Sequence, residues 1–376
     1  MSESELSRAA AALADDALAR LRSYARHETP TGGATALNAL ADVLERRYRE
    51  LGADTERVER DTGDHLVARW GRTGDEPHVL LIGHHDTVWP CGTCETMPVV
   101  EEGGVLRGPG VYDMKGGLVV VELAMAVLQR CGMRPARPVR LVVAADEEIG
   151  SPTARAVVEA ETAGAVAVLG CESPHPDGAL KSARLGSTRV RIEVGGRAAH
   201  AALDPESGVS AVDELVDQLL AVREITAAEP TVLCNVGTID GGGRTNVVPD
   251  RATADIGLRF ADTATQDRVL AALGALAPVR PGAEVTVRTL TSRPAWSEPA
   301  AALLARVAAA GSDVGQRVDG RPAAGAADTN TPGAAGIPTL DGFGPLGAGA
   351  HAAHEQIRTA SLAERGALLA SVLATL

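Results

Sequence analysis

Three apolar runs of this chain each stop at a cluster of ionisable side chains. Val79-Leu80-Leu81-Ile82-Gly83 runs into His84-His85-Asp86. Val139 to Ala145 runs into Asp146-Glu147-Glu148, and Ala165 to Gly170 runs into Cys171-Glu172. Buried strands do not ordinarily end this way, so three strands are predicted to carry His and carboxylate groups at their C-terminal ends. In open α/β sheets that edge is where ligands bind. Carboxylates converging there repel one another unless a cation neutralises them. The chemistry such a set could do is metal-assisted hydrolysis, with a carboxylate left over to move a proton.

Each candidate has a plainer reading beside the functional one. His84 and Asp86 lie two apart and on a strand point the same way. His84 could bind a metal through one ring nitrogen while Asp86 accepts from the other and fixes the tautomer. His85 points to the opposite face. Asp113 stands in the glycine-rich stretch Gly108 to Gly117, ahead of the apolar helix expected from Leu118 to Leu128. It is either a helix cap or a carboxylate able to bridge two ions. Glu147 and Glu148 are adjacent and diverge, so one can bind metal while the other faces substrate; solvated acids are the plainer reading. Glu172 adds a carboxylate at the third strand end. His351 and His354 share a small-residue loop, and either could be a ligand. His200, in Gly195-Gly196-Arg197-Ala198-Ala199-His200, reads alone as a surface loop residue.

Two other motifs are set aside. Cys91 and Cys94 have C-x-x-C spacing, but no second Cys or His pair follows, so they are read as reduced loop thiols. Gly241-Gly242-Gly243-Arg244-Thr245-Asn246 lacks the Lys-Ser/Thr ending of a phosphate loop and is not followed by a helix.

The elements that must position these residues follow from the wider pattern. A length of 376 residues favours two domains. Aromatics make up 2% of the chain, so Ala, Val and Leu must build the core. A net charge of −13 argues against nucleic acid and anionic membrane as partners. No apolar run reaches the length of a membrane span, and Met1-Ser2-Glu3-Ser4-Glu5 lacks a signal-peptide pattern, which makes the cytoplasm the expected compartment. Helical periodicity covers 5–27 and 34–51, and strands and helices then alternate to about residue 170, the α/β signature. From 186 to 292 the order becomes β-α-β-β-α-β, the ferredoxin-like arrangement, with 187–194 as a candidate exposed edge strand through which two copies could pair. Residues 293–376 return to helix and strand and are expected to complete the first sheet, with 322–350 mostly loop. The fold class is therefore α/β: a mixed-sheet domain (1–185 and 293–376) with an inserted ferredoxin-like domain (186–292).

Taken together these residues resemble the di-zinc metallopeptidase superfamily that contains glutamate carboxypeptidase, aminoacylase, acetylornithine deacetylase and succinyl-diaminopimelate desuccinylase, the glutamate carboxypeptidase branch above all. The resemblance runs from about residue 30 to the C-terminus. Gly83 to Val88, Gly110 to Gly117 and Asp146 to Ser151 look like the family's first three motifs, and Glu172 and His351 fall where its last two ligands belong. The resemblance implies two divalent ions, zinc first, with cobalt or manganese as alternatives. It implies that His84 and Glu172 hold one ion, that Glu148 and His351 hold the other, and that Asp113 bridges them across a cis Asp113–Met114 peptide. His351 is preferred to His354 because Glu355 then falls where the family places an acidic residue. Asp86 would orient His84, and Glu147 would be the general base. His200 would reach the oxyanion from the inserted lid, in dimeric members from the partner subunit, so a homodimer through the inserted domain is expected. Asn246, Arg259 and Arg293 would grip the substrate carboxylate. Cys171-Glu172-Ser173-Pro174 departs from the usual Glu-Pro-Thr, and Ala327-Asp328-Thr329-Asn330 stands where a Gly-Ser/Thr-Asp run is common.

The implied activity is hydrolysis of an amide next to a free-carboxylate amino acid in a dipeptide or other small molecule, with C-terminal glutamate as one candidate product. The alternatives are a deacylase of an N-acetyl or N-succinyl biosynthetic intermediate and, from another class, a non-catalytic amide-binding or assembly protein on the same fold. A metal-dependent phosphohydrolase would want a more basic site.

Overall fold

The computed structural model describes residues 4–71 and 76–376. They form two compact units. The first comprises the described residues up to Ala183, together with Glu298–Ala323 and Ala327–Leu376; the second comprises Arg184–Ser297 with Ala324–Ala326.

The first unit is built on an eight-stranded sheet. Across it the strands run Asp54–Val58, His65–Trp70, Val139–Ala144, His78–His84, Ala165–Gly170, Thr339–Asp341, Leu180–Arg184 and Gly320–Ala323. The strands Val139–Ala144, His78–His84, Ala165–Gly170 and Thr339–Asp341 are mutually parallel, and antiparallel pairings flank them. Parallel central strands are covered on both faces, which is why they read as unbroken apolar runs rather than as alternation. Val79 and Leu81 enter the core built with the helices Lys115–Arg130 and Ala360–Thr375. Leu80 and Ile82 enter a second core with Val157 and Val158 of the helix Arg155–Thr162. The parallel direction then sets the residues after His84, Ala144 and Gly170 at one edge.

A small second sheet in this unit aligns Gly347–Ala348, Gln356–Arg358, Val105–Arg107 and Val100–Glu102. Its pairing of Gln356 with Arg107 brings the loop bearing His351 beside the loop bearing Asp113. The helix that follows Asp113 begins hard against the chain before Glu172. A Cβ on Gly117 would lie 1.9 Å from the Cys171 carbonyl oxygen, so only glycine allows that approach. The Asp113–Met114 peptide is cis.

The helical stretch expected over 5–27 is two helices, Glu5–Ala12 and Ala14–Arg26. Leu13 leaves helical geometry at ψ 1°, and Asp15 and Asp16 supply negative charge where the second helix starts. The stretch 322–350 is mostly loop, as expected, interrupted by the short pieces Asn330–Ala334, Thr339–Asp341 and Gly347–Ala348. All five cysteines are free.

The second unit is a four-stranded antiparallel sheet in the order Leu233–Gly241, Arg251–Phe260, Gly186–Gly195, Glu284–Arg293, with the helices Ala211–Ala227 and Thr263–Gly274. Val190, Ile192, Val194, Ile256 and Leu258 face those helices, and the residues between them face away. The expectation that 187–194 is an edge strand is corrected here. Gly186–Gly195 is paired on both sides, with Arg251–Phe260 and with Glu284–Arg293. The two helical crossovers carry the second and fourth strands to the outside, so the edges are Leu233–Gly241 and Glu284–Arg293.

Candidate metal centre

His84 ends its strand with the ring buried. Its Nδ1 lies 2.9 Å from the Asp86 backbone oxygen and 3.2 Å from Asp86 Oδ1, so that nitrogen carries the hydrogen. Nε2 points the other way and lies 3.4 Å from Asp113 Oδ1, 3.4 Å from Glu172 Oε1 and 4.0 Å from Glu147 Oε2. Asp113 turns its other oxygen to a second set: His351 Nε2 is 3.2 Å from Asp113 Oδ2 and 3.0 Å from Glu148 Oε2. One carboxylate is thus shared by two ligand groups, His84–Asp113–Glu172 and Asp113–Glu148–His351.

Asp86 does more than orient His84. Its Oδ1 also accepts the Glu147 backbone N–H at 3.1 Å, and its Oδ2 accepts the Glu148 N–H at 3.2 Å and the Thr31 hydroxyl at 2.8 Å. One fully buried carboxylate therefore sets both the imidazole and the turn bearing the two glutamates. That turn is held from behind as well. Asp146 accepts from the Thr153 N–H and hydroxyl, and the Ser151 hydroxyl donates to Asp328. Ala327, Asp328 and Thr329 line the wall beside His84, Glu147 and Glu172.

The electrostatics ask for cations. Burial alone would hold His84 neutral, but Asp113, Asp86 and Glu172 outweigh it and push its pKa well above the usual value. Asp113 and Glu148 together push His351 up to about 10. Burial opposes ionisation of Asp113, yet the two histidines drive its carboxyl well down; burial also raises Glu148. Protons on the two imidazoles are one way to supply the missing positive charge, and divalent ions are the other. The donors fit metal: His84 Nε2 and Glu148 Oε1 are buried and make no hydrogen bond, and a mixed carboxylate–imidazole set suits zinc, manganese or cobalt.

His85 is buried on the opposite face, its Nδ1 donating to the Ala144 carbonyl at 2.8 Å, and burial drives it down to about 4. His354 is exposed and belongs to neither ligand group among the described residues. His351 holds a left-handed backbone at φ 60°.

The remaining candidates belong to the second unit. His200 is exposed, and its Nδ1 accepts the N–H groups of Ala202 and Leu203 at 3.2 and 3.1 Å, which leaves the hydrogen on Nε2. Asn246 is exposed on the neighbouring loop, and its backbone oxygen accepts from Ala201. Arg259 and Arg293 stand opposite the same residue, Ser187, on the two strands that flank it. Arg259 donates to the Ser187 hydroxyl at 2.7 Å, and burial and then Arg293 lower its pKa. Two guanidiniums thus share one register position.

Sequence reasoning did not find the role of Thr31 or the contacts of Glu355, and it met Ser151 and Asp328 only within longer motifs, without the hydrogen bond between them. Nothing in their spacing marked them, since each acts across a gap of tens to hundreds of residues.

Several known proteins are similar to this chain. The model of peptidase family M20/M25/M40 matches residues 80–375. Carboxypeptidase G2 of Pseudomonas sp. is 30% identical over 276 residues, which is 72% of this chain and 66% of that protein. Succinyl-diaminopimelate desuccinylase of Gluconacetobacter diazotrophicus is 34% identical over 277 residues, 65% of this chain and 69% of that one. The match thus spans about two thirds of each relative's length. Among solved structures, a Staphylococcus aureus tripeptidase superimposes with a TM-score of 0.73 at 19% identity, covering 96% of this chain and 97% of that one.

Proposed function

This chain belongs to peptidase family M20/M25/M40, and from that premise we propose that it is a metal-dependent hydrolase of amide bonds adjoining an amino acid with a free carboxylate. The observation that carries the proposal is the Asp113 carboxylate, with one oxygen turned to His84 and Glu172 and the other to His351 and Glu148. Two divalent ions held there, zinc first and cobalt or manganese as substitutes, would supply a water of lowered pKa and a positive field for the amide carbonyl.

The chain's own residues then divide the work. Glu147 is largely buried, near His84 but in neither ligand group, which leaves its carboxylate to take a proton from water and return it to the leaving amine. Asp86 keeps His84 in the tautomer that offers Nε2 and fixes the backbone under Glu147. His200, with its hydrogen on Nε2, supplies a donor for negative charge developing on the carbonyl oxygen. Arg259 and Arg293, with the Asn246 amide, hold the free carboxylate of the amino-acid half. Two guanidiniums favour an acidic residue such as glutamate there.

A second reading is a deacylase of an N-acetyl or N-succinyl intermediate, and the desuccinylase relative favours it. A homodimer through the inserted unit is part of the proposal. Its edge strand leaves Leu233 60% and Ile239 63% exposed, and its helix Ala211–Ala227 leaves Val216 and Leu220 half exposed. Among the described residues no helix is long and apolar enough to cross a membrane.

The test is metal content followed by hydrolysis of Xaa-Glu dipeptides and of N-acetyl and N-succinyl amino acids, wild type against Glu147→Ala. Preference for dipeptides supports the first reading, and preference for succinylated substrates the second. A metal-loaded protein inert across the panel would leave the non-catalytic alternative standing.

A further inference from the structure

Glu355 lies wholly inside the protein, and its carboxylate accepts four hydrogen bonds. Oε1 takes the backbone N–H groups of Tyr112 at 2.9 Å and Asp113 at 3.0 Å. Oε2 takes the Gly110 N–H at 2.9 Å and the Trp89 indole Nε1–H at 2.9 Å. Its backbone oxygen accepts from Gly108 as well. A buried carboxylate is costly unless donors surround it, and here each oxygen has two.

These donors come from segments that carry the ligand set. Gly110, Tyr112 and Asp113 form the loop of the shared carboxylate. Trp89 follows His84 and Asp86 on the loop leaving their strand. Glu355 itself closes the turn that holds His351, through Glu355 N–H to Ala352 O and Ala352 N–H to Gly349 O, both at 2.9 Å. The next residues, Gln356–Arg358, are fixed by pairing with Val105–Arg107. A single side chain therefore fastens the loops of His84, Asp113 and His351 to one point.

We propose that Glu355 is the positioning carboxylate of the metal centre, holding the Asp113 backbone so that its two oxygens face the two ligand groups before any ion arrives. It touches neither ion nor substrate. This inference rests on the metal-centre reading above, and it assigns to the ligand geometry a cause that lies outside the ligands. Outer partners of metal ligands commonly matter about 10–100-fold in affinity.

Co2+ is the probe, because its visible spectrum reports ligand geometry, with affinity measured by chelator competition. Glu355→Gln keeps the shape but sets an NH2 group against two N–H donors. Its Co2+ affinity should fall about 10–100-fold, with an altered spectrum. Glu355→Asp keeps the charge on a shorter stem and should fall between Gln and wild type. Trp89→Phe removes one donor and leaves the three backbone bonds, so its spectrum should stay that of wild type. A folded Glu355→Gln or Glu355→Asp protein with wild-type affinity and spectrum overturns the inference, whatever its melting temperature. Should neither variant fold, amide exchange of metal-free wild type decides. Slow exchange at Tyr112 and Asp113 supports preorganisation, and exchange at open-loop rates overturns it. Wild type that binds no Co2+ defeats the metal-centre reading itself, a result separable from the others.

Discussion

The two units handle charge in opposite ways. In the first, acids and histidines crowd at one sheet edge, where Asp86, Glu355 and His84 are almost wholly buried and Glu147 nearly so. Each is held by backbone N–H groups or by another member of the set. In the second, His200 and Asn246 stand on exposed loops, and Arg259 and Arg293 rest on strands opposite Ser187. Preorganised, desolvated groups are what a reaction needs, because their interactions are strongest and cost no rearrangement as charge develops. Accessible groups on a small sheet suit recognition. On the proposed reading the metal-centred proton transfer falls to the first unit and the contacts to substrate, those of His200 included, to the second, a division that can be broken or sharpened by experiment.

The largest effect should follow removal of metal. Dialysis against a chelator is expected to abolish hydrolysis, and zinc or cobalt to restore it; full activity in metal-free protein would end the division of labour at once. Next comes Glu147→Gln. The loss of a general base should lower kcat by about 10²–10⁴ while metal content stays at wild-type level. A comparable loss of metal would move Glu147 from base to ligand. Arg259→Ala should act on the other side of the comparison. A charge-assisted bond of about 1.5–3 kcal/mol corresponds to KM raised roughly 10–150-fold with kcat little changed. If kcat falls instead, Arg259 acts on the reacting groups and not only in grip.

The smallest effect concerns the Arg191–Asp255 pair, which bridges neighbouring strands of the second sheet with distances of 2.6 and 2.8 Å. The Arg191 guanidinium holds the Asp255 carboxyl below its usual value. A carboxyl depressed in the folded state adds stability above its ordinary pKa, and that stability is lost as the pH falls through the lower folded value. Arg191→Met should therefore cost about 1 °C in melting temperature at neutral pH, and the difference from wild type should close in strong acid. A shift of many degrees would show that this open surface is as tightly coupled as the buried edge of the first unit.

Much of this architecture is legible in the amino-acid sequence. The apolar runs 79–83, 139–145 and 165–170 announce buried parallel strands, because residues packed on both faces leave no polar alternation. Their acidic endings announce the site edge. The β-α-β-β-α-β rhythm announces the second sheet, since its strands face helices on one side only. It does not reveal which strand lies at the edge. Alternation reports that one face of a strand is buried and is silent on whether its hydrogen-bonding sides are occupied. Gly186–Gly195, read as an edge, is central for that reason. Leu13 escapes notice because apolar spacing continues across the break while the backbone does not.

The order of residues in the chain determines the kinds of groups present, the periods of the elements and the strand ends from which His84, Glu147, Glu148 and Glu172 project. Those are local properties, set by side-chain alternation and by the burial that apolar runs demand. Folding in three dimensions decided that Asp113 faces two histidines, that His351 rather than His354 meets Asp113 and Glu148, and that Glu355 meets Tyr112 from 243 positions away. Contacts of that range depend on how loops cross and which donors need an acceptor once water is gone, and no periodicity along the chain encodes either.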